Sequence, residues 1–277
     1  EMEVEWGDAV SGDAVRERLA AGGYAAVIAI HNESSTGAVS DLEAIGAAVA
    51  ETDAILIVDS VSGLGGIEMR QDEWGVDILV SASQKALMCP PGLGIASVSD
   101  KAWQRINAES GQVPFYWDFR KALDWARKGQ TAFTPPVTLV AGLHEALTAI
   151  HEEGMENVLS RHARLSGALR AGAEALGLAL FPTSPITSNT VGVFHVPEGI
   201  DGTAIVRAMY EDHGSVIAGA RNAYRGKMIR IGTMGTVSVE DILTDLDHLG
   251  RVLVNLGADC DADAGVDAAG AFLDLNG

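Results

Sequence analysis

Lysine is scarce in this chain, with five residues among 277, at positions 85, 101, 121, 128 and 227. Nineteen basic side chains face 38 acidic ones, a formal net charge of −19. A surplus of that size repels nucleic-acid phosphates and anionic lipid surfaces, so neither is an expected partner. Combined with so little lysine, it points to a halophilic protein, since concentrated salt screens the self-repulsion of a carboxylate-coated surface. An ordinary acidic enzyme is the alternative. Cysteine is nearly absent as well: Cys89 and Cys260 are too few and too far apart for a disulfide framework or a zinc site. Cys89, before Pro90-Pro91-Gly92, reads as a small packing residue in a tight loop, with a nucleophile as the alternative. No apolar run approaches the ~20 residues of a membrane helix. The opening Glu1-Met2-Glu3-Val4-Glu5 lacks the basic flank and apolar stretch of a secretory signal, so the expected compartment is the cytoplasm. A hydrophobic share of 47% excludes general disorder, and the length allows one large domain or two modest ones.

What is present is an alternation of short apolar runs with amphipathic stretches. Tyr24–Ile30, Ala54–Val58 and Val76–Ser81 have strand length, and Asp41–Glu51 carries Leu42, Ile45 and Val49 at helical spacing. The pattern predicts an α/β fold with a mainly parallel sheet covered on both faces, with Gly92–Ser97 as a further, antiparallel strand. Helices are expected over 137–150 and 155–176, interrupted at Gly154. After them come a strand at 190–196, a helix at 202–211, a strand at 228–231 and a helix at 239–253. The change of character suggests a large domain over 1–153, a smaller α+β domain over 154–257, and a loosely held Ala/Asp-rich tail over 258–277.

An open α/β sheet places its ligand beyond the carboxyl ends of its strands. Three segments follow those ends here: His31–Gly37 (HNESSTG), Asp59–Gly66 (DSVSGLGG) and Ser81–Leu87 (SASQKAL). Singly, each has an ordinary explanation: a solvated lysine, a turn aspartate, glycines shaping a bend. Gly63-Leu64-Gly65-Gly66 also lacks the G-x-G-x-x-G spacing of a nicotinamide site.

In this order and at these separations, HNESSTG, VDSVSGLGG and SASQKALMCPPG resemble the alanine–glyoxylate/serine–pyruvate branch of the class V aminotransferases. The likeness runs from Val4-Glu5-Trp6-Gly7 to Met228-Ile229-Arg230-Ile231-Gly232 and the helix beyond. It implies a fold-type I, pyridoxal-phosphate (PLP)-dependent transaminase acting on alanine or serine and on glyoxylate or pyruvate. By that resemblance Lys85 carries the cofactor as an imine and later moves the α-proton, a task for an amine partly withdrawn from water. Asp59 faces the ring nitrogen, keeping it protonated so that the ring can accept electrons. Val61 packs on a ring face, Ser34 lies near the ring hydroxyl, and Gln84 reaches the phosphate region. Thr134 contacts the phosphate of the neighbouring subunit's cofactor, which implies a homodimer with shared sites. Arg230 grips the substrate carboxylate in a two-pronged contact.

The sequence departs from the family in two places. A glycine-rich phosphate loop and a ring-stacking aromatic, both N-terminal in the family, have no counterpart here. Thr131 stands where some relatives have a phosphate-binding tyrosine. Other readings of this fold are a cysteine desulfurase or lyase, and a non-catalytic subunit or fragment. A desulfurase needs a cysteine on a mobile loop, and neither Cys89 nor Cys260 suits it.

Overall fold

The computed structural model describes residues 1–109, 111 and 114–276. The chain opens with α1 (Gly12–Ala20), β1 (Ala26–Ile30), the short strands β2 (Asn32–Glu33) and β3 (Ala38–Val39), and α2 (Leu42–Ala50). Next come β4 (Ile55–Asp59), β5 (Ile78–Ala82), β6 (Gly94–Val98), α3 (Asp100–Ala108), α4 (Phe119–Ala126) and α5 (Val137–Glu153). The second half holds α6 (Met155–Ala175), β7 (Val191–His195), α7 (Gly202–His213), β8 (Ala218–Gly219) and β9 (Met228–Gly232). It ends with α8 (Val239–Asn255) and α9 (Ala264–Leu275).

The first sheet has the order β1-β4-β5-β6. β1, β4 and β5 are parallel, and β6 runs antiparallel to β5. In register, Ile30 lies beside Asp59 and Asp59 beside Val80, so β1 and β4 end level and β5 runs two residues further, to Ala82. The segments after residues 30, 59 and 82 therefore leave the same edge of the sheet. Alternation decides what each strand buries. Val27 and Ala29 of β1 join the core formed by Leu42, Ile45, Leu56 and Val58, whereas Ile28 on the opposite face is 76% exposed. Among the described residues α1 and α2 pack on the Val27 and Ala29 side of this strand.

The second sheet, β7-β9-β8, is antiparallel throughout and puts Arg230 in the central strand, opposite Val193 and Ala218. Its core is shared with α6, α7, α8 and α9 through Leu169, Phe194, Ile205, Ile229 and Leu249. Gly154, with φ of 87°, separates α5 from α6 because only a glycine takes that conformation without strain.

The segment over 258–277 is not a loose tail where it is described. Residues 264–275 form α9, which buries Ala269 and Leu273 against the second core. Phe272 lies over Gly167, and Gly265 packs beside Gly172 and Leu176. The Ala/Asp-rich composition masked a helical stripe of Val266, Ala269 and Leu273, and the small residues let two helix backbones approach closely.

Candidate active site

Asp59 closes β4 and is exposed at the edge of the sheet. Its Oδ1 accepts a 2.9 Å hydrogen bond from the Val61 amide, which orients the carboxylate and turns the chain into 60–66. Among the described residues its Oδ2 has no hydrogen-bond partner. Beneath it, the wholly buried Ser60 pairs with His31, Oγ to Nδ1 at 2.8 Å, and Ser81 Oγ donates to the Ser60 carbonyl at 3.2 Å. Burial pushes the His31 imidazole down to about 4, so it is neutral near pH 7. Gly63 is required here, because a Cβ would collide with the His31 ring.

Lys85 lies in the turn after β5 and is half-buried. Its carbonyl accepts from the Met88 amide at 2.9 Å, and Met88 completes the turn with φ of 59°. Its amine has no ion-pair partner among the described residues. Gln84 beside it is exposed, and Val61 is half-buried.

Ser34 and Arg230, 196 positions apart, are brought into contact: Arg230 Nη1 donates to the Ser34 carbonyl at 3.2 Å. Nε and Nη2 of Arg230 donate to the Gly219 carbonyl at 3.2 and 3.0 Å. Three of the five guanidinium hydrogens are thereby held, leaving one on each terminal nitrogen for a carboxylate. Thr134 stands apart. It is exposed in the loop before α5 and forms no hydrogen bond to Ser34, Asp59, Lys85 or Arg230 among the described residues.

Sequence reasoning passed over a buried polar network that joins these loops to the second sheet. Asn32 Nδ2 donates to Ser62 Oγ at 2.9 Å and to Thr190 Oγ1 at 3.1 Å, and Thr190 Oγ1 donates to the Ser62 carbonyl at 2.8 Å. Asn32 and Ser62 lie inside the quoted motifs. Their signal was polar side chains at strand ends, but Thr190 carried none, since its partners are distant in the chain.

The donor set has a definite chemistry: an unpaired amine and a half-free carboxylate in loops from adjacent parallel strand ends, and a guanidinium with two free hydrogens. That set suits a cofactor with a carbonyl and a basic ring nitrogen, and a substrate with a carboxylate. Among the described residues no group of three or more His, Cys, Asp or Glu side chains is arranged to hold a metal. Cys89 is buried against α5, with Sγ 3.6 Å from the Leu139 carbonyl, which lends a desulfurase no support. Fold and site together define an α/β transferase of PLP fold type I.

The family follows from comparison with known proteins. The model for "Aminotransferase class-V" matches residues 9–244. An L-aspartate–glyoxylate aminotransferase of Paracoccus denitrificans is 38% identical over 97% of this chain and 69% of its own length. A serine–glyoxylate aminotransferase of Methylorubrum extorquens is 35% identical over 99% of this chain and 71% of its own length. Among solved structures, the ureidoglycine–glyoxylate aminotransferase of Bacillus subtilis superposes with a TM-score of 0.94 at 31% identity, covering 99% of this chain and 71% of that one. The chain belongs to the class V aminotransferases, PLP-dependent enzymes that move an amino group between an amino acid and a 2-oxo acid. Cysteine desulfurases such as that of Thermococcus onnurineus, at 15% identity and a TM-score of 0.71, share the fold.

Proposed function

We propose that this protein transfers the amino group of a small amino acid, alanine or serine, to a small 2-oxo acid, glyoxylate or pyruvate. The observation that carries this reading is the state of Arg230, held at three hydrogens by Gly219 and Ser34 with two left free. Every such donor and acceptor has a carboxylate beside its reacting carbon, so one fixed guanidinium orients them all. Glyoxylate recurs as acceptor in the names of several relatives.

Lys85 and Asp59 would hold PLP at its carbonyl and ring nitrogen. Val61 would lie on a ring face and Ser34 near the ring hydroxyl, with Gln84 and the neighbouring subunit's Thr134 toward the phosphate. When bound, the cofactor supplies an electron sink for the bond broken at the substrate α-carbon. The Lys85 amine would move the proton between the substrate α-carbon and the cofactor's carbonyl-derived carbon, Asp59 would keep the ring nitrogen protonated, and Arg230 would hold the substrate in place.

The same reading takes residues 1–153 and 154–257 as the large and small domains, with α9 attached to the second. It makes the enzyme a homodimer, supported by the exposed Phe115, Tyr116, Trp117, Val137 and Val140. It also makes it a cytoplasmic protein adapted to salt, supported by the net charge of −19.

Two experiments on the full-length protein test the core of this reading. Borohydride reduction with PLP, followed by peptide mapping, should leave the pyridoxyl group on Lys85. An adduct on Lys101 or Lys227 overturns the assignment. Steady-state kinetics should show Arg230→Ala and Arg230→Lys both impaired, because lysine keeps the charge but loses the fork. Wild-type kcat/KM in the folded Ala variant removes Arg230 from the substrate.

A further inference from the structure

His162 lies on α6, far in sequence from every residue assigned above, and is 0% exposed. Both ring nitrogens are committed. Nδ1 is 2.7 Å from the Val158 carbonyl and Nε2 is 3.1 Å from the Gly235 amide. The carbonyl only accepts and the amide only donates, so together they select one form of the ring. It is the neutral tautomer, protonated on Nδ1 with a bare Nε2. Burial also lowers the imidazole's proton affinity, in keeping with that form.

The backbone group that Nε2 holds is well placed to matter. Gly235 lies five residues beyond Arg230, in a left-handed conformation with φ of 78°. A Cβ there would be 3.4 Å from Met88 Cγ and 3.8 Å from the Lys85 carbonyl, so this loop rests on the turn that presents Lys85. The Gly235 carbonyl is held from the other side by Arg161 Nη1 at 2.8 Å. Arg161 in turn pairs with both oxygens of Glu153, at 2.7 and 3.0 Å. The His162 ring also lies against Gly66, where a Cβ would come within 3.0 Å of Cδ2. One buried ring therefore touches the end of the Asp59 loop and the loop after Arg230, which itself covers the Lys85 turn.

We propose that His162 is a positioning residue that, by accepting the Gly235 amide, sets the spacing between the Arg230 strand and the Lys85 turn. The inference rests on the roles proposed for Arg230 and Lys85. Its effect on the substrate runs through those residues, since a wholly buried ring has no access to a ligand. The Val158 contact keeps the proton on Nδ1, which leaves Nε2 as an acceptor. A residue of the same shape without that acceptor leaves the Gly235 amide buried and unpaired, and the loop relaxes away from Lys85.

The test uses full-length protein as wild type, His162→Leu and His162→Gln, the glutamine oxygen being able to replace Nε2 as acceptor. In the cofactor-free enzyme, hydrogen exchange of the peptide spanning 232–236 should speed up in His162→Leu and return toward wild type in His162→Gln, while α6 stays protected. In the loaded enzyme, KM for both amino and oxo substrates should rise roughly tenfold in the Leu variant, the scale of one lost hydrogen bond, and recover in the Gln variant. Unchanged exchange at 232–236 in a folded His162→Leu overturns the proposal, and so does an equal KM defect in both variants. If the Leu variant does not fold, 15N-histidine spectra of the wild type decide. A bare Nε2 at neutral pH is required, and a proton on Nε2 overturns the proposal. Should the exchange and spectra agree while Arg230→Ala keeps wild-type kinetics, the fault lies with the substrate role of Arg230 and not with His162.

Discussion

Asp59 ends β4 and His31 follows the neighbouring β1, so both stand at the same edge of the sheet, where they make opposite demands. The carboxylate stands at the solvent edge, while the imidazole beside it is 2% exposed and paired to Ser60. In Asp59→Asn the Oδ1 that accepts from Val61 is preserved, so the turn keeps its shape and the variant loses charge alone. If Asp59 keeps the ring nitrogen protonated, the loss of a charge-assisted contact worth about 1.5–3 kcal/mol should lower kcat roughly tenfold or more. Wild-type turnover in that variant removes Asp59 from the chemistry. His31 makes a prediction about acid. Its folded value of about 4 lies below the ordinary 6.5, so the unfolded chain takes up a proton that the folded protein refuses. Stability attributable to His31 is therefore complete above about 6.5 and falls as pH drops toward about 4. The loss is on the order of 3 kcal/mol. Denaturant unfolding across that window should show a shallower decline in His31→Asn than in wild type. Equal slopes would mean that His31 titrates normally in the folded state.

The elements are set by caps and by close backbone approaches. Ser11, Asp41, Ser99, Asp201 and Ser238 each cap a helix with a side-chain oxygen, and Ser238 with Asp241 forms a reciprocal capping box. The packing of α6 on α9 depends on glycine. A Cβ on Gly172 would meet the Gly265 carbonyl at 2.6 Å and a Leu246 methyl at 2.9 Å, whereas one on Gly270 of α9 meets nothing within 4 Å. Gly172→Ala should destabilise the protein by about 1–3 kcal/mol through overpacking. Gly270→Ala should be neutral or stabilise it by up to about 1 kcal/mol through helix propensity. Thermal denaturation of the two variants side by side checks this, and equal melting temperatures would mean that α9 is not tightly docked.

For the whole molecule, charge and exposed apolar surface lead to two further expectations. With 38 acidic against 19 basic residues, molar salt should raise the melting temperature and the activity by screening self-repulsion. A melting temperature that peaks in dilute buffer would mark an ordinary acidic enzyme. The exposed Phe115, Tyr116 and Trp117, at 74%, 61% and 72%, lie in the part of the chain that the dimer reading would bury. Trp117→Glu should shift the full-length protein toward monomer in sedimentation. A Thr134 defect that persists in such a monomer would argue against a site shared between subunits.

The apolar runs Tyr24–Ile30 and Ala54–Val58 announced their strands, because short runs rich in β-branched residues suit a pleated, partly buried sheet. Three short segments, HNESSTG, VDSVSGLGG and SASQKALMCPPG, announced the family by their residues, order and separations. These are local properties, carried by consecutive residues, and the sequence determined them unaided. The helix at 264–275 escaped notice because its docking depends on the small residues of α6, about a hundred positions earlier. The contact of Arg230 with Ser34, the link from Asn32 to Thr190, and the hold of His162 on Gly235 were decided by the tertiary structure alone. Each joins groups 73 to 196 residues apart. A polar side chain of this kind shows no preference until folding has removed water from around it and left one partner within reach.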